Sequence, residues 1–164
     1  MISCTPFLLK NIIKQSGTKM PFKHLNAKRN WSKFIKHRMQ IVKLYNLASS
    51  MHTEEPQLDY GRLQRPDFIH AFVYEGAKGG VLIEQLLNNE QIALITFAAI
   101  ESKHQGKGIC SKLIEFATNE LGKRGVRVVG VQMNTFDERK YWKKRGFTEE
   151  IPHQNITVLL KPSA

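Results

Sequence analysis

No aspartate or glutamate occurs before Glu54 in this 164-residue chain. Residues 1–53 carry ten Lys/Arg, whereas the remainder holds fifteen bases against fourteen acids, so ten of the eleven net positive charges lie in the first third. Such a stretch disfavours a strongly cationic ligand and suits nucleic acid, an acidic protein or an anionic membrane surface. A solvated basic helix face is the plainer reading. A targeting peptide is a third, since these are acid-poor. Against it, Lys outnumbers Arg by eight to two and Ser is scarce before Met20, itself an alternative start. The expected compartment is cytoplasmic, or an organelle if the acid-free N-terminus is a targeting peptide.

Cysteine is scarce as well. Cys4 and Cys110 form neither a metal spacing nor a disulfide framework, which points to a reducing setting and no metal. No apolar run reaches the roughly 18 residues of a membrane-spanning helix. Repeats, low-complexity tracts and interdomain linkers are lacking too. The expectation is one domain over residues 1–164, with a basic segment at about 1–30. Its oligomeric state is open between monomer and homodimer.

What is present reads as a short N-terminal helical part followed by a strand-rich part. Phe7–Ile13 is an opening strand or short helix, and Gln15–Met20 a turn. Trp31, Phe34, Ile35, Met39, Val42 and Tyr45 fall near helical spacing, which predicts an amphipathic helix over Ser32–Ser50. Gln57–Leu63 suits a second short helix, interrupted at Pro66-Asp67. Strands are expected at Ile69–Glu75, Val81–Leu87 and Gln91–Ile100, with turns at Gly76–Gly80 and Asn88-Asn89. The near-continuous apolar run of Gln91–Ile100 suggests burial on both faces, as in the middle of a mixed sheet. A helix over Gly108–Leu121 closed by Gly122, a strand at Val126–Met133 and a helix from an Asp137 cap through Arg145 to Gly146 follow. Thr148–Glu150 and Ile156–Leu160 are closing strands.

The most informative segment is Ala93–Phe116. An apolar strand ends at Ile100, a polar turn runs from Glu101 to Gly108, and an amphipathic helix begins. A strand feeding a glycine-containing turn into a helix N-terminus aims bare N–H groups and the positive dipole end at one spot, which suits phosphate. Gly106 and Gly108 allow close approach, and Lys103 and Lys107 add charge. The spacing is not that of a P-loop, and Ser111 stands where the third glycine of a dinucleotide fingerprint would fall.

The segment Gln105-Gly106-Lys107-Gly108-Ile109-Cys110 resembles the Gln/Arg-x-x-Gly-x-Gly/Ala signature of the GNAT acetyltransferase superfamily, with Cys110 where Gly or Ala is usual. Tyr141-Trp142-Lys143-Lys144-Arg145-Gly146-Phe147 resembles the ending of that family's last helix. The resemblance covers roughly Phe72–Leu160. It implies an α/β (α+β) fold whose central mixed, mostly antiparallel twisted sheet is flanked by helices. It also implies an N-acetyltransferase using acetyl-CoA as acyl donor and a primary amine as acceptor. By resemblance, Gln105, Gly106, Lys107, Gly108, Ile109 and Cys110 cradle the pyrophosphate, and main-chain groups of Phe97, Ala98, Ala99 and Ile100 pair with the pantetheine. Asn134 or Thr135, Tyr141 and Trp142 are further candidates for cofactor contact.

Acetyl transfer needs a neutral amine, a donor for the developing oxyanion and a proton for the leaving thiolate. Many members of the family place a Tyr four residues before the glycine of Gly-Phe; here that residue is Trp142. Tyr141 lies one residue earlier, about 100° around the helix, and is either a displaced acid or a packing aromatic. The histone-acetyltransferase branch places a base Glu where this chain has Leu94. Glu84, Glu101 and His104 are the substitutes, each with a bland reading as a solvated strand residue, a loop-orienting acid or a loop histidine. His70 reads as structural. Cys110 near a helix N-terminus is a reactive thiol or, more plainly, a buried inert one. A catalytically weak binding module, using the basic first third to bind nucleic acid or an acidic protein, is the alternative to the enzyme.

Overall fold

The computed structural model describes residues 21–48, 64–75, 78–133, 136–153 and 156–162. The expected elements at Phe7–Ile13, Gln15–Met20 and Gln57–Leu63 lie outside them. The described chain runs β1 (Phe22–Asn26), α1 (Trp31–Ala48), β2 (Ile69–Tyr74), β3 (Gly79–Leu86), β4 (Asn89–Ile100), α2 (Ile109–Gly122), β5 (Val128–Met133), α3 (Phe136–Lys143), β6 (Glu149–His153) and β7 (Ile156–Pro162). Among the described residues seven strands form one sheet in the order β1-β2-β3-β4-β5-β7-β6. Only β4 and β5 are parallel, with α2 as their crossover, and every other pair is antiparallel. The fold class is therefore the mixed, mostly antiparallel α+β sheet expected.

The sheet has apolar side chains on both faces. On one face, Phe34, Ile41 and Val42 of α1 pack against Ile69, Ala71, Val73, Leu82 and Phe97. On the other, Leu113, Ile114, Ala117 and Leu121 of α2, with Trp142 and Phe147, pack against Phe72, Val81, Ile83 and Ile95. Alternation along β2 to β4 supplies both layers, as period-two side chains must. Burial of this kind, at ~25 cal/mol per Å² of apolar surface, is the main force holding helices to sheet.

Several expectations are corrected. β1 was not foreseen, because Lys23, His24 and Asn26 interrupt its apolar pattern; it is held by its full ladder to β2. In α1 the inward residues are Phe34, Arg38, Ile41 and Val42, whereas Trp31 and Met39 of the expected stripe are exposed. Gly79 and Gly80 belong to β3 rather than to a turn. A Cβ on Gly80 would run into Ile41 of α1, and one on Gly79 into Ile100. Gly122 is not the cap of α2: Lys123 stays in the right-handed region, and the chain reverses at Gly125, φ 91°, where Val126 N–H donates to the Leu121 carbonyl at 3.1 Å. Asp137 is the second residue of α3, not its cap, and α3 ends at Lys143. Gly146, φ 86°, then turns the chain, as expected.

Candidate functional site

The ladder between β4 and β5 covers only Ile92–Ile95 against Val128–Val131. It stops where β4 bulges. Leu82 pairs with Phe97 and Ile83 with Ile95, so Thr96 is the extra residue. Its hydroxyl donates to the Leu82 carbonyl at 3.3 Å. Beyond the bulge β4 stays with β3 as far as Gly79–Ile100, while β5 stays with β7 as far as Met133–Thr157. The two parallel strands therefore part. Along Phe97–Ile100 the main-chain groups on the β5 side have no strand partner among the described residues, an edge suited to a ligand with its own amide groups.

This opening leads into the turn before α2. Gln105 Nε2 donates to the Ile100 carbonyl at 2.9 Å, folding the turn back on the strand end. Gly106 and Gly108 have φ of 74° and 72°, a left-handed conformation that L side chains rarely adopt. A Cβ at either would meet nothing within 4 Å, so the space beside them is open. Gly108 is the N-cap of α2, and no side chain caps the helix. The first N–H groups, from Ile109 and Cys110 onward, thus lack both an intrahelical acceptor and a side-chain substitute. The first turn holds no acid. Lys107 is exposed and has no carboxylate partner among the described residues, while Lys103 pairs with Glu101 at 3.3 Å. Open space, positive φ, bare donors and an adjoining cation fit an anionic group such as pyrophosphate.

Residues 39–147 fit the Acetyltransferase (GNAT) family, which decides the assignment. The chain belongs to the GNAT acetyltransferases. Solved structures agree in fold. Tetrahymena GCN5 superposes with a TM-score of 0.66 at 15% identity, covering 87% of this chain and 96% of that one. The Escherichia coli ribosomal-protein-S18-alanine N-acetyltransferase gives 0.60 at 13%, covering 87% and 94%. A chain of the NatC complex bound to Gag peptide and CoA gives 0.57 at 18%, covering 88% and 100%. Comparison with curated proteins finds no match.

The GNAT frame separates the remaining candidates. Glu84 is buried, not a solvated strand residue. It stands directly across from Leu94, which in turn is paired with Gly130, and on its other side from Ile69 of the α1-side core. Leu94 and Glu84 therefore share the α1 face, one strand apart. Gly130 makes room for Leu94, since a Cβ there would lie 2.8 Å from Leu94 Cδ2. Glu101 is engaged within the turn, by Lys103 and by His104 Nε2 at 3.7 Å. His104 packs edge-on to Tyr74.

Tyr141 donates its hydroxyl to Cys110 Sγ at 3.0 Å. Burial, then the adjoining Cys110, push the phenol well above its usual range. Burial likewise pushes the Cys110 thiol up, so it is not an activated nucleophile. Trp142 is buried against Phe147 with ring centroids 5.1 Å apart, inside the α2-side core. Asn134 and Thr135 lie outside the described residues. One residue was missed: Tyr45 on α1 meets Phe97 edge-on at 5.2 Å, beside the bulge. Burial and the Glu138 carboxylate raise its phenol. Its helical spacing marked it only as apolar.

His70 is structural, as expected, and part of a longer chain. Gln85 Oε1 can only accept, so His70 Nε2–H donates to it at 2.9 Å and Nδ1 is left as acceptor. His24 Nε2–H and Asn26 Nδ2 donate to that Nδ1 at 2.9 and 3.3 Å, and Arg124 Nη2 donates to His24 Nδ1 at 3.4 Å. Both imidazoles are thus neutral.

No described helix is long and apolar enough to cross a membrane. No group of three or more His, Cys, Asp or Glu among the described residues is arranged to hold a metal.

Proposed function

We propose that the chain transfers an acetyl group from acetyl-CoA to a primary amine. The observation that carries this reading is the parting of β4 from β5 at the Thr96 bulge, leading straight into an uncapped, acid-free helix N-terminus. The main-chain groups of Phe97–Ile100 left without a partner on the β5 side would hold the pantetheine amides, and the turn from Gln105 to Cys110 the pyrophosphate. Acetyl-CoA supplies the activated thioester.

The protein's own part is positioning and proton handling. The amine would approach on the α1 face, where Glu84 presents a buried carboxylate. Glu84 replaces, one strand over, the base missing at Leu94 and takes the proton from the attacking amine; as the C–N bond forms and the C–S bond breaks, CoA leaves as a thiolate that solvent protonates. Main-chain N–H groups at the bulge would donate to the developing oxyanion. Tyr141 acts as a positioning residue: its proton is committed to Cys110, and its ring supports the first turn of α2. Glu101 orients the turn.

The test is release of free CoA thiol from acetyl-CoA in the presence of amine panels: amino-terminal peptides, lysine peptides, polyamines and aminoglycosides. Amine-dependent thiol release with a matching mass gain of one acetyl group on the acceptor supports the reading. Acetyl-CoA binding with no transfer to any panel would favour a binding module on the same fold.

A further inference from the structure

A polar cavity lies between α2 and the residues that follow α3. It has a volume of about 340 Å³ and lies between Ser111, Thr118 and Asn119 of α2 and the cations Lys144, Arg145 and Lys161. Glu115 is the one acid in its lining among the described residues. Neither Lys144 nor Lys161 pairs with a carboxylate among the described residues.

Arg145 is held in place from two sides. Its guanidinium lies over the Tyr141 ring at 3.3 Å, and Nη1 donates to the Tyr141 carbonyl at 2.8 Å. Its Nε is buried with no hydrogen-bond partner. A guanidinium fixed in place and flanked by two lysines is a site for a compact dianion. Lys161 reaches this place because its stem lies along Gly146, 3.6 Å from where a Cβ would stand.

The cavity neighbours the anion cradle along α2. Ser111 lies in the first turn of α2, next to Cys110. Cys110 bonds to Tyr141, and Tyr141 carries Arg145. A ligand whose diphosphate occupies the cradle and whose next few bonds carry a phosphate monoester would place that monoester here. Coenzyme A has this arrangement, through the 3′-phosphate of its ribose.

We propose that Lys144, Arg145 and Lys161 form a phosphate-monoester site that selects CoA over 3′-dephospho-CoA. The proposal rests on the acetyl-CoA reading above and adds a specificity to it. A phosphate monoester carries close to two negative charges at pH 7, so its loss removes most of the attraction this cluster offers.

Calorimetric titration of the full chain with CoA and with 3′-dephospho-CoA tests it, alongside a Lys144→Ala/Lys161→Ala variant. Thermal melting of the variant checks that it folds. The wild type should bind CoA about tenfold or more tightly than the dephospho form. The variant should lose affinity for CoA alone, bringing the two ligands within about twofold. Equal binding of both ligands by the wild type overturns the site while leaving the cradle standing. Equal loss for both ligands in the variant also overturns it. Binding of neither ligand overturns the acetyl-CoA reading and this one together.

Discussion

The hydroxyl of Tyr141 donates to Sγ of Cys110 at 3.0 Å, tying α3 to the first turn of α2. This bond decides between two roles for the tyrosine. A general acid needs a proton free to leave, whereas burial and the adjacent thiol hold this phenol protonated. Tyr141→Phe should therefore cost about 1 kcal/mol of stability and less than about tenfold in kcat, with an unchanged pH profile. Loss of a general acid would cost about a hundredfold or more. Steady-state thiol release across pH separates the two.

Glu84→Gln should lower kcat by about a hundredfold or more, with acetyl-CoA affinity retained. The cross-strand pairing with Leu94 offers a sharper check. In the Glu84→Gln background, Leu94→Glu moves the carboxylate one strand over on the same face and should recover part of the activity. A Glu84→Gln enzyme with full turnover would remove Glu84 from the mechanism.

Gly108→Ala isolates backbone strain, because a Cβ there meets nothing within 4 Å. Forcing a side chain into φ 72° should cost about 1 kcal/mol or more. The fold should survive, with acetyl-CoA binding weakened more than stability. Chemical denaturation and calorimetry on the same sample read the two effects separately.

Stability should fall on mild acidification. Burial, the partner imidazole and Arg124 lower His24 to about 4, opposed by Glu120 and reinforced by Arg29. Burial first, and Arg124, lower His70 to about 4 against the pull of Gln85 and Asp67. Both lie below the 6.5 of the free side chain, so between those values the unfolded chain binds protons that the fold excludes. Stability is complete above pH 6.5 and is lost as pH falls towards 4. His70 contributes on the order of 3 kcal/mol over that window; half-buried His24 contributes less, because solvent screens it. Urea unfolding at pH 7 and pH 5 should show a lower midpoint in acid, and His70→Gln should flatten the difference. Identical midpoints in the wild type would contradict the neutral hydrogen-bond chain.

The site was legible where chemistry demands a local pattern. Gln105, Gly106 and Gly108 announce themselves because a turn with two left-handed residues before a helix admits few other side chains. Tyr141, Trp142 and Gly146 are fixed by a helix and its stop. What depends on distant pairing was not legible. The Thr96 bulge leaves no local mark, since one extra strand residue looks like any other. Glu84 reads as a polar strand position until β2 and β4 enclose it. β1 shows its purpose only through β2, because His24 and Asn26 are the partners of His70. Gly125 rather than the expected Gly122 turns the chain because helix termination depends on which residue takes positive φ, and a second glycine lies three residues further on.

The central claim is that the cradle before α2 holds acetyl-CoA. Calorimetric titration of acetyl-CoA into the wild type and into Gly108→Glu tests it most directly. The account predicts saturable micromolar binding in the wild type and none in the variant, whose carboxylate would occupy the anion site. Absence of binding to the folded wild type, or equal binding to both proteins, would contradict it.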